Sequence, residues 1–159
     1  MSSILKVSEI QDSTGKKILQ NTGSVLQVKN HTLDGGGQST TSTSLVESGL
    51  TLDITPTSST SKFLILASMH EIYIADAQKA IGIAIAKDGT RLYDTDAATL
   101  GYISGATNNY FNVNLQAYDS PSTTDTITYS VMVRSIYGSS VAWNGDNTPT
   151  FLTVMEISA

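Results

Sequence analysis

The chain has no cysteine, three prolines, one tryptophan and few charges, and each scarcity closes off a class of protein. Without cysteine there is no disulfide scaffold, thiolate zinc site, iron–sulfur cluster or cysteine nucleophile. Charged residues make up 14% of the 159, against roughly 25% in an average globular protein. The nine Lys and Arg are scattered, with Lys16-Lys17 the one adjacent pair, in a chain of formal net charge −5. A surface that tracks phosphates needs clustered base, so no nucleic-acid partner is expected. No apolar run approaches the roughly 20 residues of a membrane span, so no membrane insertion is expected. The opening Met1-Ser2-Ser3-Ile4-Leu5-Lys6-Val7 has no basic segment leading into an apolar stretch. It therefore does not read as a secretory leader, and synthesis in a cytoplasm without export is expected.

Polarity comes instead from neutral hydroxyls, 21 Ser and 21 Thr. With 40% hydrophobic residues the chain can build a core, and its length suits one domain with room for an arm. Residues 1–23 read as that arm. Ile4, Leu5, Val7 and Ile10 precede a polar turn at Gln11–Gly15, and Ile18 and Leu19 follow it. Such a hairpin or extended segment is too short to bury a core alone and must lie on the body, on a second copy or on another protein.

Residues 24–159 read as a β-sandwich. Val25, Leu26 and Val28 suggest a first strand, and a low-complexity loop is expected between Thr32 and Ser44. Leu50, Leu52 and Ile54 alternate with polar residues up to Pro56. Lys62–Met69 is apolar at nearly every position and predicts a central strand covered on both faces, by another sheet and, as one candidate for the second cover, by a partner chain. Ala80, Gly82, Ala84 and Ala86 share one face opposite Ile81, Ile83 and Ile85. So small a face would let a second copy approach closely. Asp88-Gly89 predicts a tight hairpin. Further ladders run through Phe111–Ala117, Ile127–Val133 and Phe151–Ile157, and one helical turn is allowed near Asp76–Gln78. Short strands with turns every 8–12 residues or so indicate an antiparallel sandwich of the jelly-roll kind.

Chemistry is sparsely signposted. His31 and His70 belong to no ligand motif, and position 74 is Ile where a zinc-binding H-E-x-x-H would need His. Asp94-Thr95-Asp96 departs from a calcium loop, which requires Gly and Glu where this chain has Thr99 and Gly105. A calcium ion held by Asp94 or Asp96 at a sheet rim stays open. The acids sit mainly in turns, with no opposed pair of the kind glycoside hydrolysis uses, and no G-x-S-x-G elbow exists. Neither enzymatic activity nor a cofactor is expected. Asn30-His31-Thr32 matches a glycosylation acceptor that has no use without export. Tyr110 and the turn at Trp143, Asn144 and Asp146 combine aromatic faces with amides and acids, the chemistry of a glycan contact; core or subunit packing also accounts for such aromatics.

The stretch Ser3-Ile4-Leu5-Lys6-Val7-Ser8-Glu9-Ile10-Gln11-Asp12-Ser13-Thr14-Gly15 resembles the start of many small virion proteins of tailed bacteriophages, notably marine ones. Gly49–Pro56 with Ser59–Leu66, Tyr118-Asp119-Ser120-Pro121 and Leu152–Ile157 resemble the bodies of the same proteins. The resemblance implies a homotrimeric jelly-roll knob on the virion surface. Its leading segment would dock to other virion proteins of the capsid or tail, and its knob would face host-surface carbohydrate. It implies no catalytic residues. A capsid decoration or cement protein is the alternative role.

Overall fold

The computed structural model describes residues 13–14, 23–92, 108–145 and 148–159, with the backbone of 101–103. The arm residues Ile4, Leu5, Val7, Ile10, Ile18 and Leu19 lie outside the described residues, as do Asp94, Asp96 and Asp146. Among the described residues there is no helix. The strands are β1 (Val25–Leu33), β2 (Gln38–Thr40), β3 (Val46–Ile54), β4 (Lys62–Ile74), β5 (Lys79–Lys87), β6 (Thr90–Arg91), β7 (Gly101–Ile103), β8 (Asn109–Asp119), β9 (Ile127–Ser135), β10 (Val141–Trp143) and β11 (Thr150–Ile157).

Their pairing is nested. The first and last strands meet as β1 with β11. Inside them β3 pairs with β9, β4 with β8, and β5 with β7, every pair antiparallel. This is one long hairpin, and wrapping it also joins β11 to β4 and β9 to β5. Two sheets result: β1-β11-β4-β8, extended at one end by β10 and β2, and β3-β9-β5 with β6 and β7. That nesting is the jelly-roll arrangement, so the expected fold class holds.

Alternation of apolar and polar residues puts one face of each sheet into a shared core. Leu50, Leu52 and Ile54 of β3 face inward, as do Ile81, Ile83 and Ile85 of β5, and Tyr129, Val131 and Val133 of β9. Opposite them stand Phe63, Ile65, Met69 and Ile72 of β4 with Leu152 and Val154 of β11. Asp88 and Gly89 both have positive φ, 49° and 75°, as the right-handed twist of a two-residue hairpin requires.

One face of β4 lies on the other sheet, and a single chain leaves Leu64, Leu66 and Ser68 of the second face half-buried. Two expectations change. The segment Asp76–Gln78 turns without forming a helical element, because β4 continues as strand to Ile74 and Gln78 takes a positive φ of 56°. The Thr32–Ser44 loop contains the end of β1 and all of β2; pairing of β2 with β10 supplies the backbone hydrogen bonds that its low-complexity composition gave no hint of.

Polar groups fasten the end of the sandwich where the chain enters. Gly23 N–H donates to Ser158 O (2.8 Å), tying the entry to the C-terminal strand. Asp119 of β8 accepts from the Tyr129 hydroxyl (2.8 Å) and pairs with Lys87 Nζ (3.0 Å), joining the two sheets. Burial pushes the Tyr129 phenol up, and the hydrogen bond to Asp119 adds to it. Glu156 is fully buried. Its carboxylate accepts from Gln27 Nε2 (2.6 Å), Thr57 N–H (2.7 Å) and the Thr57 hydroxyl (2.7 Å). Burial alone would raise this carboxyl, but the hydrogen bonds outweigh it and hold it below the ordinary glutamate value.

A depressed carboxyl means that the folded protein binds fewer protons than the unfolded chain. Its contribution is present above the ordinary glutamate range and is lost as pH falls through the folded value. Glu156→Gln, which sets an amide against the Gln27 donor, is expected to cost about 1–3 kcal/mol near neutral pH. It should also flatten the acid side of the stability profile, as measured by urea unfolding between neutral and acidic pH.

Candidate functional site

Toward its far end β4 carries one residue too many. Its pairing with β8 slips between Met69 and Ile72, and Glu71 takes up the slack with φ +49°. A left-handed conformation costs a residue with a side chain about 1–2 kcal/mol. The bulge resets the alternation, so that Met69 and Ile72 both reach the core while Tyr73 emerges on the outer face. Glu71 N–H donates to Asn112 Oδ1 (3.0 Å), which holds the bulge against β8.

At this point the neighbour of β4 also changes. β11 pairs as far as Ser68, and β10 takes over at Tyr73 and Ile74. Between them the chain folds around the bulge: Asn144 N–H donates to His70 O (3.0 Å), and His70 Nδ1 donates to Pro149 O (2.6 Å). The gap left by this exchange is a pocket of about 160 Å³, lined by Glu71, Tyr73, Tyr110, Ala142 and Trp143 with Gly37 and Gly145. The Tyr73 and Tyr110 rings lie 4.8 Å apart at 34°. Tyr73 is fixed by donating to Asn108 Oδ1 (2.6 Å), whereas Tyr110 is 64% exposed.

Glu71 Oε2 is buried with no hydrogen-bond partner among the described residues. A Cβ at position 145 would stand 3.1 Å from that oxygen, so glycine there leaves room for the carboxylate. A carboxylate only accepts hydrogen bonds. Among the described lining residues there is no Lys, Arg or His to neutralise it, nor a second acid to share a proton. The arrangement suits binding of a donor-rich group rather than acid–base chemistry.

The sequence-predicted residues divide. Tyr110 and Trp143 are brought together on this pocket. Trp143 is only 3% exposed, and its indole N–H is taken by Ser48 O (3.0 Å), so it supplies wall rather than a stacking face. Asn144 is fully buried, and its amide nitrogen, oriented by its surroundings, donates to Leu33 O (3.0 Å) and Thr148 O (2.8 Å), so that its donor is engaged within the chain. On the small-residue face Ala80, Gly82 and Ala86 are already buried within one chain and Ala84 is half-buried. Gly82 stands opposite Arg134 and Ala84 opposite Met132, so small residues sit beside long ones of β9. His31 Nδ1 accepts from Thr51 N–H (3.2 Å), away from the pocket.

Glu71 was not singled out by sequence reasoning. Its signal is a broken alternation: the inward residues Ile65, Ala67 and Met69 are odd-numbered, Ile72 and Ile74 are even, and two polar residues fill the change of phase. Neither a protein-family model nor a curated protein matches the chain. Two structures of infectious bursal disease virus are among the solved structures similar to it. The infectious bursal disease virus VP2 subviral particle aligns with TM-score 0.36 and 15% identity over 98% of this chain and 42% of that one. The structure of the infectious bursal disease virus Gx strain aligns with TM-score 0.37 and 18% identity over 86% of this chain and 39% of that one. The chain thus spans about two-fifths of the length of each.

Glycine tolerates positive φ without cost and would remove the unpartnered carboxylate. Glu71→Gly is therefore expected to stabilise the fold by about 1 kcal/mol rather than weaken it. Thermal unfolding of the two proteins measures this directly.

Proposed function

We propose that the chain is a non-enzymatic structural component of a tailed-phage virion, a trimeric tail-fibre or head-fibre appendage at the particle surface whose pocket contacts host-surface glycans. One observation carries this reading: Gly23, where the described body begins, and the pocket lie at opposite ends of that body. The chain enters at Gly23, beside Ser158 and the Val25–Ile157 pair. Lys62, paired with Ile157, starts β4 at that end, and Tyr73 comes eleven residues later at the pocket. At about 3.3 Å per residue this separates the ends by more than about 30 Å. A body held at one end and lined with aromatic rings at the other has the layout of an attachment knob. The resemblance of residues 3–15 to virion proteins supports the docking role of the arm, and the hydroxyl-rich, weakly charged surface suits work in high salt, where charge contacts are screened.

Contact with further copies is better placed on the outer face of the β1-β11-β4-β8 sheet than on Ala80, Gly82, Ala84 and Ala86. There Val28, Met155, Leu64 and Tyr118 stand opposite one another in a row across all four strands, and Val28 and Tyr118 are 56% and 54% exposed. An apolar row of this breadth on a charge-poor surface is the kind of patch that protein interfaces cover. The same row suits the decoration or cement reading, in which the capsid covers it.

Deletion of residues 1–20 is expected to leave a folded body that no longer joins particles; normal incorporation of the shortened protein would overturn the docking role. Val28→Asp is expected to shift the full chain from trimer to monomer in sedimentation equilibrium without loss of its β-type circular dichroism. Labelling on intact particles separates the appendage reading from the cement reading.

A further inference from the structure

The pocket's chemistry narrows its ligand. Burying a carboxylate oxygen without a donor is costly, and at Glu71 this cost is added to the strain of a left-handed residue that bears a side chain, where a glycine would form the same bulge unstrained. Gly145 keeps space open beside that oxygen. Two independent costs at one residue that lines a pocket point to a partner from outside that donates hydrogen bonds. Tyr73 and Tyr110 pack against each other and do not surround the pocket from several sides, so the outer ring offers one flat face rather than a cage for a cation. The volume of about 160 Å³ falls below the roughly 300–1,000 Å³ of pockets that take drug-sized ligands, so the pocket encloses one ring and any further rings of a chain would lie outside it.

We infer that the pocket binds a single neutral pyranose, a hexose or N-acetylhexosamine residue of a glycan, with Glu71 accepting hydrogen bonds from its hydroxyls and Tyr110 stacking on its C–H face, and that it rejects acidic sugars. This rests on the reading of the pocket as a glycan contact and adds to it the class of sugar and the anchoring residue. The unshielded carboxylate supplies the discrimination: a uronic or sialic acid brings a second negative charge to a pocket whose described lining has no cation.

The test uses the full chain and saturation-transfer NMR with methyl glycosides of glucose, galactose, mannose and N-acetylglucosamine, set against glucuronic acid, N-acetylneuraminic acid and tetramethylammonium. At least one neutral glycoside should receive saturation, strongest on its ring C–H protons, and the acids and the ammonium ion none. Glu71→Gln should weaken that binding about tenfold or more, and Tyr110→Ala should abolish the ring-proton transfer. Gly145→Ala, which crowds Glu71 Oε2 without changing charge, should weaken binding while the melting temperature stays close to that of the parent. Silence from every neutral sugar, equal binding of the acids, binding of tetramethylammonium alone, or indifference to both Glu71→Gln and Gly145→Ala would each overturn the inference. Binding of the parent to host-cell glycans that survives all three substitutions would leave the glycan-contact reading standing and place the contact elsewhere.

Discussion

The double pairing of β4 is the constraint on which the rest of the molecule depends. This strand is held along one edge by β8 and along the other first by β11 and then by β10. Every other strand of its sheet is positioned directly or at one remove by that pairing. Side chains alternate strictly along an unbroken strand, so a strand this long with core beneath its whole length would keep one phase throughout. The bulge at Glu71 is where the phase changes, and it coincides with the exchange of β11 for β10. The pocket follows from both: the strand edge is briefly left by one neighbour before the next arrives, and the bulge turns an acid toward the gap.

Much of the architecture was legible in the sequence because the code for a half-buried strand is short-range. Leu50, Leu52 and Ile54, then Ile127, Tyr129, Val131 and Val133, announced their inward faces by alternation alone, and Asp88-Gly89 announced its turn. What could not be read was which apolar surface is closed by the chain itself. Leu64 and Leu66 looked buried by composition, yet the other sheet covers only the opposite face of β4. Ala80 and Ala86 looked like a surface for a second copy, yet they are already covered within one chain. Cover is a long-range property, and nothing in a run of nine residues reports it.

The site was legible in the same partial way. Tyr110 and Trp143 were visible as aromatics near polar turns, but their meeting depends on the register of β4 with β8 and β10. Asn144 carried the right chemistry for a sugar hydroxyl and spends it on its own backbone, because a chain that turns at a buried position must satisfy its carbonyls. Glu71 was the least visible, since a single acid inside a strand reads as a solvated side chain until the bulge around it is known.

The placement of the chain entry has a mechanical consequence. The strands run lengthwise between Gly23 and the Tyr73–Tyr110 end, so tension between those two points acts along the strand axes. From β1 the load passes sideways into β11 and from β11 into β4, which strains the rungs of each ladder together in shear instead of peeling them open one after another. The molecule is therefore built to resist being pulled along its length, and its weak direction is the one that lifts an outer strand away from its neighbour.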